Sequence, residues 1–90
     1  MIKCYSIRVK GKVQGVFFRA STKEQAERFS LTGFVRNEND GSVYIEAMGE
    51  EIALNEFVRW CRRGPAHARV DDCVINELEP KTFPSFEVRR

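Results

Sequence analysis

Apolar and polar residues alternate over residues 2 to 9, with Tyr5, Ile7 and Val9 on one side and Cys4, Ser6 and Arg8 on the other. A period of two is that of a strand with one buried face, here ending near Lys10. The next regular pattern has a longer period: Thr22, Ala26 and Phe29 recur at i, i+4 and i+7, the stripe of a helix. Ser21-Thr22-Lys23-Glu24 reads as a capping box for it, the helix runs to about Ser30, and Gly33 reads as its stop signal. Phe34-Val35-Arg36 and Ser42 to Ala47 then flank Asn37-Glu38-Asn39-Asp40-Gly41, whose Asp-Gly supplies the positive φ of an antiparallel hairpin. Leu54, Phe57, Val58 and Cys61 form a second helical stripe over roughly 51 to 63, closed by Gly64-Pro65. Val70 to Leu78 is rich in strand formers, and Phe86-Glu87-Val88 reads as a short terminal strand set off by Pro80 and Pro84.

The order β-α-β-β-α-β with a C-terminal strand predicts an α+β fold of the ferredoxin-like, split βαβ kind, a mostly antiparallel sheet with two helices on one face. Ninety residues suit a single domain, 1-90. The 15 basic and 13 acidic residues are scattered, so the net charge of +2 offers no arm for nucleic acid. No apolar run approaches a membrane span and no leader pattern opens the chain, which makes the cytoplasm the expected location. Cys4, Cys61 and Cys73 form no CxxC pair and leave one thiol over, unlike a secreted disulfide framework. Each is expected to be a small buried hydrophobe.

Several chemistries fall away on residue counts. His67 is the lone histidine, so a two-histidine metal site is impossible, and any His-activated nucleophile would have to use a residue just past a Gly-Pro turn. Cysteine phosphatases need an Arg six positions after the Cys, where this chain has Lys10, His67 and Glu79. The third strand offers one aromatic, Tyr44, for base stacking, which argues against an RNA-recognition module. What remains is the loop Gly11 to Arg19, "GKVQGVFFR". It is neither a Walker A loop nor GxGxxG, but a turn centred on Gly15 before a helix can aim successive N–H groups at an anion. Arg19 adds a planar, permanently charged fork. The same pattern also suits a plain connector, and Asn37, which the topology can bring near the loop, also suits a turn-opening residue.

"GKVQGVFFR", then "GFVRNENDGSV" with Asn37 eighteen positions after Arg19, then "GPAHARV", together resemble the acylphosphatase family over nearly the whole chain. The resemblance implies a small ferredoxin-like enzyme that cleaves the carboxyl-phosphate bond of acyl phosphates, releasing inorganic phosphate, with no metal and no other cofactor. It implies that the backbone amides of Gln14, Gly15, Val16, Phe17 and Phe18 and the Arg19 side chain hold the phosphoryl group, while Asn37 positions the water. Val16, Phe17 and Phe18 are expected to keep those amides in shape, with at least one Phe turned into the core, leaving main chain and Arg19 alone to touch substrate. The chain departs from the family's usual residues at Phe34 (often Trp), Ser30 (often Gly) and Ala66 (often Pro), all packing or turn positions. A carboxylate leaving group has a conjugate acid of pKa about 4, so no dedicated general acid is required. The expected state is a monomer that binds no nucleic acid and no membrane. The alternative is a non-catalytic ferredoxin-like module using the same nest to bind an anion or a partner.

Overall fold

In the computed structural model, which describes all residues from Met1 to Arg90, the strands are β1 (Ile2–Lys12), β2 (Thr32–Asn37), β3 (Val43–Glu50), β4 (Arg69–Leu78) and β5 (Phe86–Arg89). The helices are α1 (Phe18–Arg28) and α2 (Glu51–Arg63). The sheet order is β4-β1-β3-β2-β5. Neighbours are antiparallel except β2 and β5, which run parallel from Gly33↔Phe86 to Arg36↔Arg89. This is the expected ferredoxin-like arrangement with the terminal strand added at the β2 edge. Because β1 and β2 are each antiparallel to β3, and β5 follows β2, the C-terminal ends of β1, β2 and β5 lie at one end of the sheet.

One apolar cluster holds the helices to the sheet. Ile7, Val9, Val35, Val43 and Ile45 from the strands meet Phe18, Ala26, Leu54, Phe57, Trp60 and Cys61 from the helices, all buried. An aromatic chain runs through it, Phe18 on Trp60 at 5.6 Å between centroids, Trp60 on Phe57 at 6.4 Å, and Phe57 on Phe86 at 6.3 Å. Aromatic pairs at these separations add to their area burial. The second helix keeps its expected bounds, although Trp60 joins Leu54, Phe57 and Cys61 inside while Val58 is only half-buried.

Three local expectations are corrected. The Ser21 to Glu24 capping box is not a cap: α1 begins three residues earlier, and the Thr22 hydroxyl donates back to the Phe18 carbonyl at 2.7 Å as an interior helix residue. Gly33 is not the helix stop. It lies in β2, where a Cβ would collide with the Glu46 carbonyl of β3. The actual stop is a Schellman turn, in which Ser30 N–H donates to Glu27 C=O at 3.1 Å and Leu31 N–H to Ala26 C=O at 2.9 Å, with Ser30 left-handed at φ 58°. Finally, β1 is covered on both faces. Cys4 and Ser6 are buried beside Glu46, which accepts from the Lys81 ammonium and the Tyr44 hydroxyl, both at 2.7 Å. Phe83 packs on Phe34, so the segment between β4 and β5 is fastened across the face opposite the helices. Cys4 and Cys61 are buried as expected, Cys73 half-buried.

Ser30 explains why glycine is usual there, since a Cβ in the left-handed region costs about 1–2 kcal/mol. Ser30→Gly should therefore raise stability by about 0.5–1 kcal/mol after glycine's larger unfolded-state entropy is subtracted, read as a rise of roughly 3–6 °C in Tm. An unchanged or lower Tm would show the turn to be unstrained.

Candidate active site

The passage from β1 into α1 is set by two positive φ angles, 74° at Gly15 and 61° at Phe17. Gly15 adopts this region at no steric cost; Phe17, the N-cap residue of α1, does not. The result is a tight wind of backbone in which none of the N–H groups from Gln14 to Ala20 donates to a backbone acceptor; the first to do so is Ser21, to Phe17 C=O at 3.0 Å. Helix N-termini always leave orphan donors, usually met by a capping side chain. Phe17 makes no cap hydrogen bond and the first turn of α1 contains no acidic residue, so the positive end of the helix is not neutralised from within.

Each end of this loop is anchored. Val16 and Phe18 are buried, Phe18 on Trp60. On the other side the Gln14 side-chain amide donates to Glu38 C=O at 2.8 Å and to Ser42 C=O at 2.9 Å, tying the loop to the β2–β3 hairpin. The hairpin is itself closed by the Asp40 carboxylate, which accepts from the Ser42 amide at 2.9 Å and hydroxyl at 2.6 Å. Those hydrogen bonds hold the Asp40 carboxyl below its ordinary range. Asn37, the last residue of β2, is thereby fixed relative to the loop.

Gly15, Phe17, Phe18, Arg19 and Asn37 line one cavity of about 320 Å³, together with Val13, Ala20, Val88 and Arg90. Of the loop residues named from sequence, Gln14 and Val16 are not among its lining side; they act from behind. Arg19 is half-buried, and one guanidinium N–H donates to the Arg89 carbonyl at the end of β5, 3.1 Å away. Its remaining donors are free to form a fork toward the cavity. The Asn37 side-chain oxygen is buried and has no hydrogen-bond partner, a state that costs about 1–3 kcal/mol. No Asp, Glu or His lines the cavity, and nowhere in the chain do three or more such residues or cysteines converge as a metal-binding group.

Phe17 departs from expectation. Its side chain is 80% exposed, so it does not brace the loop as Val16 and Phe18 do, and it stands on the cavity wall. Arg89, Arg90 and Val88 were missed by sequence reasoning. The signal available was the parallel pairing of the terminal strand beside β2, which brings the chain end to Asn37; a three-residue strand pattern does not disclose its pairing. Lys10 and Lys12 are exposed and do not line the cavity.

The acylphosphatase family model matches residues 5–88. A curated acylphosphatase of Rubrobacter xylanophilus is 51% identical over 85 residues, covering 92% of this chain and 76% of that protein. Among solved structures, an acylphosphatase from Coxiella burnetii is 38% identical with a TM-score of 0.95, covering 98% of this chain and 93% of that one. The acylphosphatase from Bacillus subtilis is 35% identical, also with a TM-score of 0.95, and each chain is covered completely.

The double hydrogen bond from Gln14 makes a directional prediction. Gln14→Ala should lower stability by about 1–3 kcal/mol, the sum for two lost hydrogen bonds, while Glu38 C=O keeps the Gly41 N–H at 3.1 Å and Ser42 C=O the Glu38 N–H at 2.9 Å. Gln14→Glu should cost more, because a carboxylate would face two carbonyl oxygens. Urea unfolding checks the order; equal losses would mean that the amide contributes only packing.

Proposed function

Because this chain belongs to the acylphosphatase family, and so hydrolyses acyl phosphates to a carboxylate and inorganic phosphate, we propose how its residues divide the work. The backbone N–H groups of Gln14, Gly15, Val16, Phe17 and Phe18 and the Arg19 guanidinium hold the phosphoryl group, and Asn37 places the attacking water. The observation that carries this is the meeting, on one cavity, of Gly15, Phe17 and Phe18 from a segment whose N–H groups have no partner in the protein, of Arg19, and of Asn37 with its buried unsatisfied oxygen. Donors satisfied by nothing in the protein suit an anion, and charge-assisted hydrogen bonds of this kind are the strong ones. The orphan oxygen needs a donor, and a water O–H supplies one while leaving an oxygen lone pair to face phosphorus.

The bonds then change as follows. Water oxygen bonds to phosphorus, and the bond between phosphorus and the acyl oxygen breaks with its electron pair leaving on the carboxylate. Such a leaving group, with a conjugate acid of pKa about 4, departs unprotonated near neutral pH. The proton released by the water goes to the phosphoryl oxygens, because the cavity offers no side-chain base. The protein contributes positioning and charge stabilisation, which account for most of the catalysis in phosphoryl transfer. Arg19 reaches its place because Arg89 C=O holds one edge of its guanidinium. We also infer that residues 1-90 act as one domain, supported by the single buried cluster that links both helices to the sheet. We infer further that the protein acts as a monomer in the cytoplasm without nucleic-acid partners. The scattered charges support that reading, and no helix is long and apolar enough to cross a membrane.

Arg19→Lys should weaken both turnover and inhibition by inorganic phosphate, since the anion is present in ground and transition states alike; near-normal turnover would remove the bidentate role. Asn37→Ala should lower kcat by roughly 10²-fold or more, as loss of a fixed polar group serving the transition state does, while phosphate inhibition changes little. Benzoyl phosphate hydrolysis should be insensitive to chelator. Phosphate binding without turnover in the unmodified protein would instead identify a binding module.

A further inference from the structure

We propose that the groove between α1 and α2 is a second anion site, shaped for a chain of linked phosphates and not for a single phosphate. It encloses about 210 Å³ and shares no lining residue with the Arg19 cavity. On α2 its wall is Glu56, Arg59, Trp60 and Arg63, spaced i, i+3, i+4 and i+7, which is one face of a helix. Across from them the C-terminal end of α1 presents Gln25, Arg28 and Phe29. Three guanidiniums therefore border one groove against a single carboxylate. Glu56 reaches only Arg59, at 3.9 Å with both side chains largely in solvent, an arrangement worth little. Elsewhere in the protein Arg8, Arg36, Arg69 and Arg89 each pair with a carboxylate within 4 Å. Arg28 and Arg63 pair with none, although Glu24 stands one turn before Arg28.

Helix dipoles account singly for a basic residue in a last turn, where Arg28 and Arg63 lie. They do not account for Arg59, which precedes that turn, nor for its spacing of four residues from Arg63, at which like charges destabilise a helix. A ligand of opposite charge gives the cluster its use. Guanidinium forks match pairs of phosphate oxygens, and Arg59 and Arg63 stand about 6 Å apart along the axis of α2, with Arg28 on the other helix. One phosphate fills part of that span, whereas a di- or triphosphate chain can give each fork its own pair of oxygens. Arg28 is already held against the Phe29 ring, its guanidinium carbon 5.7 Å from the centroid, which reduces the side-chain freedom lost on binding. Gln25 adds neutral amide donors. Free polyphosphate and the phosphate tail of a nucleoside triphosphate share this chemistry and differ in whether a base follows the chain.

Trp60 is the only tryptophan in the protein and lines the groove, so its indole N–H signal in proton–nitrogen spectra reports the site. A phosphate chain can also enter the Arg19 cavity, and Trp60 rests on Phe18; the titration is therefore run in Arg19→Ala as well as in the unmodified protein. With tripolyphosphate, the Trp60 indole and the Arg28 and Phe29 amides should shift along one saturation curve in both proteins. Inorganic phosphate should need about a 10-fold higher concentration, the scale for losing one charged hydrogen-bonding group. Arg28→Gln combined with Arg63→Gln should raise the tripolyphosphate dissociation constant about 10-fold or more and leave kcat/KM for acyl phosphate hydrolysis unchanged. Arg59→Gln should weaken binding in the same direction without lowering Tm, because the repulsion from Arg63 is removed together with the weak Glu56 pair. ATP binding as tightly as tripolyphosphate assigns the site to the phosphate chain alone; tighter ATP binding adds a base contact to it. The proposal is overturned if the groove signals stay still in Arg19→Ala, if the arginine variants leave the affinity unchanged, or if the groove takes a poly-glutamate peptide and not tripolyphosphate.

Discussion

A helix N-terminus that its own chain leaves unsatisfied is the constraint around which this protein is organised. Any helix leaves its first N–H groups without intrahelical acceptors, and most sequences cap them. Here Phe17 offers no capping atom and no carboxylate stands in the first turn of α1. The preceding wind through Gly15 adds further free donors. Such a concentration of donors is tolerable because it faces an open, solvent-reachable cavity and not the core. It is stable in shape because Phe18 and Val16 pin it from below and Gln14 straps it to the hairpin.

The sheet topology supplies everything the loop lacks. Running β1, β2 and β5 in one direction brings three strand ends to the same place: the loop from β1, Asn37 from β2, and Val88 to Arg90 from β5. Placement of β5 depends in turn on contacts remote from the cavity. The Lys81–Glu46 ion pair and the Phe83–Phe34 contact hold the connecting segment against the sheet, Phe86 is buried in the core, and the Arg89 guanidinium lies 4.0 Å from the Phe34 ring centroid. Burial alone would raise the Glu46 carboxyl, but the Lys81 and Tyr44 hydrogen bonds outweigh it and hold that group below its ordinary range. The fastening is therefore charged at neutral pH, and its contribution is lost as pH falls through that depressed value.

Strand alternation, the Asp-Gly hairpin and the α2 stripe were all legible in the residues, because each is a local pattern whose period survives folding. Errors came where a residue's role is decided by something distant. Gly33 looked like a helix stop, yet its reason is the Glu46 carbonyl across the ladder. Ser6 looked solvent-facing, and is buried on a face that a later segment crosses. In the candidate site, Arg19 and Asn37 could be named from spacing and family resemblance, and the structure puts both on one cavity. The neighbouring phenylalanines could not be told apart: Phe18 enters the core and Phe17 turns outward, a difference set by one backbone angle that no composition or spacing records.

Whether free backbone donors of the 14–18 segment, with Arg19, hold the phosphoryl group is decided most directly by a titration with inorganic phosphate, followed residue by residue in proton–nitrogen correlation spectra. The amide signals of Gly15 to Phe18, with the Arg19 guanidinium and the Asn37 side-chain amide, should shift together along one saturation curve. That curve should match the constant for phosphate inhibition of acyl phosphate hydrolysis. Saturable shifts confined to other parts of the molecule, with the loop amides unmoved, would contradict the proposed phosphoryl site.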